Sequence, residues 1–123
     1  MSRLLVMLLL GLSGSAFAAA MSTQFPQGST ELTPEALKSD LSDKTFIVRP
    51  AQGPSWRWEL KGNGYYFINI GNFSDSGTWN VKGSSLCSAG QKVATGSCND
   101  VRMKDGALYL KRDNGEVVEL ESK

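Results

Sequence analysis

Trp56-Arg57-Trp58-Glu59-Leu60-Lys61-Gly62-Asn63-Gly64-Tyr65-Tyr66-Phe67-Ile68-Asn69-Ile70 is the stretch on which the fold turns. Trp56, Trp58 and Leu60 alternate with Arg57 and Glu59, the period-two pattern of a half-buried strand. A second strand follows Gly62-Asn63-Gly64, and the length of that turn decides which of its faces joins the tryptophans. A two-residue turn would set them against Tyr65, Phe67 and Asn69. A three-residue loop with Gly64 in the left-handed conformation sets Leu60 against Tyr66, Trp58 against Ile68 and Trp56 against Ile70. That register gathers the large apolar groups on one face, so the three-residue loop is expected.

The same arithmetic extends to the C-terminus. A three-residue Asp113-Asn114-Gly115 loop sets Arg112 against Glu116, Leu110 against Val118 and Leu108 against Leu120. A two-residue Asp105-Gly106 turn before it sets Met103 against Leu108 and Val101 against Leu110. Trp79 and Val81 form a further inward pair, and Phe46 and Val48 belong to a strand after Lys44. Ahead of it, Thr33-Pro34-Glu35-Ala36-Leu37 is a helix start with a hydroxyl cap and proline at the first helical position. Leu37 and Leu41 share one face of that short helix, which should plug one end or cover an edge.

The expected fold is mainly β: an antiparallel meander of about seven strands closing into a small barrel or a sandwich, with one short N-terminal helix. A flat sheet of that size would leave tryptophan and leucine in water.

The first residues carry one charge, Arg3, then an apolar run from Leu4 to Leu12 and the small-residue stretch Ala16-Phe17-Ala18. These are the parts of a secretory signal, expected to occupy residues 1–18 with cleavage after Ala18 or, second, after Ala20. Residues 19–31 read as a flexible lead-in and 32–123 as a single β domain. No cysteine lies near the cleavage point for lipid attachment, so a soluble periplasmic or secreted form without a membrane anchor is expected. Removing Arg3 from thirteen Lys and Arg leaves twelve, against twelve Asp and Glu. That balance gives no electrostatic case for nucleic acid. The two cysteines, Cys87 and Cys98, are read as a disulfide, the common fate of an isolated pair in a small exported chain.

The chain has no histidine, which removes the commonest general base and zinc ligand together. No Ser-x-x-Lys occurs, and Gly62-Asn63-Gly64 is a hairpin turn rather than a phosphate loop. Asp75, Asp100, Asp105 and Asp113 are spread over separate turns, where aspartate serves turn geometry. The reading is therefore of a protein that is no enzyme and uses no cofactor or metal. Asn72-Phe73-Ser74 matches the N-glycosylation acceptor pattern and falls in the expected loop Gly71–Gly77.

What is in surplus is aromatic character on faces that should be polar. Tyr65 and Phe67 fall on the side of Arg57 and Glu59, Tyr109 on that of Lys111, and Phe73 in the Gly71–Gly77 loop. Arg57, Tyr65, Phe67, Phe73 and Tyr109 are thus candidates for a partner-binding surface, since aromatics and arginine carry interface energy. The bland alternative has the helix and lead-in covering Tyr65 and Phe67, with Phe73 folding back as a lid. Inside, Trp56, Trp58, Tyr66 and Trp79 would line a cavity if the barrel were not filled.

Three segments together look familiar: Lys61-Gly62-Asn63-Gly64-Tyr65-Tyr66-Phe67, then Ser76-Gly77-Thr78-Trp79-Asn80-Val81, then Leu86-Cys87 with its partner Cys98. This stretch resembles uncharacterised families of small exported proteobacterial β proteins with a Gly-x-Trp-x-Val … Leu-Cys signature, lipocalin-like in a loose sense. The resemblance implies export and a β fold; it carries over no site residues, and the glycine-framed ligand motif of true lipocalins is missing. The leading functional expectation is an exported, non-catalytic binding protein for a macromolecular partner in the cell envelope, such as an inhibitor of a periplasmic or secreted hydrolase. The alternative is a lipocalin-like carrier of a small apolar ligand.

Overall fold

The computed structural model describes residues 21–93 and 96–123; the expected signal segment and its cleavage points lie outside the described residues. In chain order the elements are β1 (Thr30–Glu31), α1 (Pro34–Leu41), β2 (Lys44–Val48), β3 (Trp56–Leu60), β4 (Tyr65–Ile70), β5 (Phe73–Lys82), β6 (Ser85–Gly90), β7 (Ser97–Lys104), β8 (Ala107–Lys111) and β9 (Val117–Ser122). Strands β2 to β9 pair antiparallel with their neighbours in sequence, and β9 returns to β2. The result is a closed eight-stranded up-and-down barrel with β1 as an extra strand.

The registers follow from the turns. Leu60 faces Tyr66, Trp58 faces Ile68 and Trp56 faces Ile70, across a loop in which Gly64 has φ 93° and donates to the Lys61 carbonyl. Met103 faces Leu108 and Val101 faces Leu110 across Asp105 and Gly106, both at positive φ. Leu110 faces Val118 and Leu108 faces Leu120, with the Arg112 amide donating to the Glu116 carbonyl at 2.7 Å.

The eighth barrel strand is β6 (Ser85–Gly90), whose small residues show no apolar alternation, and β5 is longer than expected. The expected loop Gly71–Gly77 is instead a tight turn of Gly71 (φ 58°) and Asn72, after which β5 begins at once with Phe73 opposite Ile70. Glycine at the first central position is what a two-residue hairpin of this kind requires. The lead-in also differs from the expectation. Ser22 accepts the Val117 amide at 2.7 Å, and Thr30–Glu31 pair with Met103 and Arg102 of β7. Phe25 lies beneath the Arg102 guanidinium, 4.7 Å from ring centroid to carbon. The described part of this polar segment is thus bonded along the barrel, where backbone partners substitute for hydropathic pattern.

Helix α1 starts as expected: the Thr33 hydroxyl oxygen accepts the Ala36 amide at 3.1 Å, with Pro34 at the first helical position. Thr33→Ala should lower stability by about 1 kcal/mol, read as the urea midpoint, because the Ala36 amide loses its acceptor. Leu37 and Leu41 are fully buried in the core cluster with Phe46, Leu60, Trp79, Leu86, Val101 and Leu120. The helix therefore plugs one end of the barrel, the end where β2 starts and β3 stops. Trp79 sits at this end, its indole N–H donating to the Lys61 carbonyl at 2.8 Å. Cys87 and Cys98 face each other across β6 and β7 and are joined by a disulfide on the outer face. No described helix is long and apolar enough to cross a membrane.

Candidate functional site

Large side chains fill the helix end of the barrel, and the opposite end is hollow. An eight-stranded barrel is just wide enough for its own side chains or for one small ligand, so residue size along each strand decides which it holds. Toward the open end, β3 and β4 contribute Trp56, Trp58, Ile68 and Ile70, with Tyr66 deeper. Facing them, the inward positions of β5 to β7 carry small or polar residues: Asp75, Gly77, Ser88, Gly90, Ser97 and Asn99. The space so left is a cup of about 460 Å³, with an aromatic wall on one side and a polar wall on the other.

Tyr66 is packed by this arrangement. Its ring lies edge-on to Trp58, centroids 6.1 Å apart, and over the Gly77–Gly90 pair. Burial raises the pKa of its hydroxyl, and the nearby Asp75 carboxylate adds to the effect, so the group stays a neutral O–H.

Asp75 is the residue that sequence reasoning misplaced. Read as a turn aspartate, it is an inward residue of β5 and buried. Its carboxylate accepts the amides of Ser76 (2.8 Å), Lys92 (3.0 Å) and Val93 (3.2 Å), so it fastens the segment after β6 to the cup. Burial raises the pKa of this carboxyl, but the backbone amides of Lys92, Ser76 and Val93 and the charge of Lys92 outweigh it, leaving the group below its ordinary value of 3.8. The consequence has a sign. Below 3.8 the unfolded chain takes up a proton that the folded one refuses, so Asp75 stabilises the fold fully above that pH. Its contribution is lost as pH falls from there through the depressed folded value. Urea midpoints measured from pH 6 to pH 2 should fall more steeply for the wild type than for Asp75→Asn.

The rim is closed on one side by the tip of the β8–β9 hairpin. Strand β7 is laddered to β6 over Ser97–Asp100 and to β8 over Val101–Lys104, so at the open end the β7–β8 seam is bridged by a side chain. Asn99 Nδ2 donates to the Lys111 carbonyl (3.0 Å) and to Asp113 Oδ1 (2.8 Å). On the other flank Glu116 receives the Ala51 amide (2.8 Å) and Arg112 Nη1 (2.6 Å). The Arg112 guanidinium lies over the Trp56 ring at 5.0 Å. Asn99→Ala should speed amide hydrogen exchange at Gly115 and Val117 about tenfold, the worth of a lost hydrogen bond of about 1–1.5 kcal/mol. Exchange at Phe46 should not change.

The candidates from sequence reasoning scatter over this geometry. Trp56, Trp58 and Tyr66 come together in the cup, whereas Trp79 lies at the plugged end with its N–H already bonded. Phe73 sits in the cup mouth rather than on a loop; it and Val93 are 41% and 57% exposed. Lys92 Nζ lies 5.3 Å over the Phe73 ring. Tyr65 and Phe67 are on the outer face of β4 and are not covered by the helix or lead-in, at 54% and 46% exposed. Arg57 is beside them, but it is bonded to Glu59 at 2.7 Å. Burial raises the Glu59 carboxyl, and hydrogen bonds from Arg57 and Lys61 more than reverse it. Tyr109 stands apart on β8, between Arg102 and Glu119, with β2 and β9 separating it from Arg57. The five proposed surface residues therefore form no single patch.

Fold and site together define a class: an eight-stranded up-and-down barrel plugged by a helix at one end and hollowed into a cup at the other. No protein-family model, curated protein or solved structure matches the chain.

Proposed function

We propose that this protein binds a small amphipathic molecule in the open end of its barrel, as an exported carrier or receptor without catalytic activity. The observation that carries this reading is the cup itself. Its volume of about 460 Å³ falls in the range of small-molecule sites. Its wall includes Trp56 and Trp58 beside Ile68 and Ile70, an apolar surface for the body of a small ligand. The Cys87–Cys98 disulfide agrees with residence outside the cytoplasm, in the periplasm or secreted medium.

Tryptophan fluorescence tests the reading directly, because two of the three tryptophans line the cup and the third does not. Titration with a panel of amphipathic molecules should shift the emission. The shift should shrink in Trp56→Phe and Trp58→Phe and persist in Trp79→Phe. A flat response across the panel, or a shift that follows Trp79, would sink the proposal.

A second reading, recognition of a protein partner in the cell envelope, is favoured by one observation: Tyr65 and Phe67 stand exposed side by side on the outer face of β4. Inhibition of an envelope hydrolase would be one form of it. On this reading Tyr65→Ser/Phe67→Ser abolishes hydrolase inhibition and leaves ligand titrations untouched.

A further inference from the structure

Resting on the reading of the cup as a ligand site, we propose that its ligand is a neutral glycoside. The hydroxyls of its pyranose ring meet those of Tyr66, Ser88 and Ser97. Its C–H face lies on Trp56, Ile68 and Ile70, and its apolar aglycone passes out beside Phe73 and Val93.

Polarity in the cup runs across its width. The apolar wall is made by β3 and β4 and the polar wall by β5 to β7, so the two face each other. A head-and-tail amphiphile is polar along its length and would lay one of its parts against the wrong wall. A pyranose carries hydroxyls on its rim and C–H groups on its faces, and so matches both walls at once. Gly77 and Gly90 leave the hollow on the polar side. Beside that wall the mouth carries two exposed apolar groups, Phe73 and Val93, which a hydrocarbon aglycone would cover.

The polar wall is rich in hydroxyls. Ser88 of β6 and Ser97 of β7 are directly paired. The Tyr66 hydroxyl stands over Gly90, where an added Cβ would lie 2.9 Å from it. Ser97 donates to Asn99 Oδ1 at 3.3 Å and keeps its lone pairs. The hydroxyls of Tyr66 and Ser88 take no partner among the described residues. Each of these groups both donates and accepts, as does every sugar hydroxyl, so the two sets pair in either sense. Tyr66 is only 7% exposed, so its O–H has given up most of its water and a ligand hydroxyl would replace it.

The charges favour a neutral guest. Arg112 is paired with the buried Glu116, and Asp75 holds three backbone amides. An anion would meet Asp75 and Asp113, whereas a cation would meet Arg112 over Trp56 and Lys92 over Phe73 at the rim. Asp113 gives Oδ1 to Asn99 Nδ2, which leaves Oδ2 as an acceptor for a sugar hydroxyl.

The test compares octyl glucoside, octyl galactoside, octanol, octanoate and octylammonium at pH 7, by tryptophan fluorescence and calorimetry on the disulfide-bonded protein. At least one glycoside should bind about tenfold or more tightly than octanol, which supplies the chain without the ring. In Tyr66→Phe/Ser88→Ala, which removes two hydroxyls and no charge, that preference should shrink about fivefold or more while octanol affinity stays within about twofold. The wild-type comparison decides alone if the double variant does not fold. Equal binding of the glycosides and octanol would overturn the glycoside proposal and leave the cup reading intact. Tightest binding of octanoate or octylammonium would overturn it in favour of an ion held at Arg112 or Asp75. No response from any of the five would overturn both.

Discussion

Gly77→Ala should lose about 3 kcal/mol or more, a large share of the stability of a domain of this size. Gly77 has no positive φ, so the requirement is for space and not for conformation. It faces inward on β5, opposite Gly90 and beside Tyr66. A methyl group there would overlap the Ala89 carbonyl oxygen, come within 2.7 Å of the Gly90 Cα and within 2.8 Å of Tyr66 Cε2. The first two obstacles are backbone, tied into the β5–β6 ladder, and cannot retreat without breaking it. Gly77→Ala/Tyr66→Leu, which removes only the third, should therefore fail to restore stability. Gly71→Ala is the control: it has positive φ and open space, and should cost only about 1–2 kcal/mol from the left-handed backbone. Urea unfolding of the three variants separates the two causes.

That glycine also shows why half of the site was illegible in the sequence. The inward face of β3 and β4 is legible because Trp56, Trp58 and Leu60 alternate with Arg57 and Glu59 and are framed by a turn whose length has one sensible solution, whereas Trp79, grouped with them as a cavity residue, lies at the plugged end. The opposite wall is built from Asp75, Gly77, Ser88, Gly90, Ser97 and Asn99, which carry no hydropathic signal and look like turn material. Yet Asp75, Gly77 and Trp79 fall at successive alternate positions. Once Trp79 is placed inside, that spacing already puts Asp75 inside with it. Taking Gly71–Gly77 as one loop concealed this, because a glycine at each end imitates a loop when the first makes a two-residue turn and the second clears room for a ring. Barrel and sandwich could not be separated from pattern alone, since closure depends on β9 returning to β2 over the short register Phe46–Ser122 and Ile47–Glu121. Alternation tells inside from outside but not which strands are neighbours around a barrel, so Tyr109 lies three or four strands from the other candidates for a binding surface.

Removal of the disulfide is the other large effect. Cys87→Ser/Cys98→Ser should cost about 2–3 kcal/mol, the chain-entropy value for so short a loop, and shift the urea midpoint accordingly. The bridge joins directly opposed residues of β6 and β7 on the outer face, away from the cup. The segment between those strands is fastened independently, since Asp75 holds the Lys92 and Val93 amides, and Gln91 donates to the Ser76 carbonyl at 2.8 Å. Loss of the bridge should therefore act mainly on the unfolded chain, by restoring freedom it had lost. The folded fraction should retain the wild-type emission of Trp56 and Trp58 and the same ligand affinity. Asp75→Asn inverts the pattern: with the bridge intact the unfolded chain stays constrained, but the segment carrying Val93 loosens at the cup mouth and ligand release quickens. If the double serine variant instead lost ligand affinity while still folded, the outer bridge would be shaping the cup.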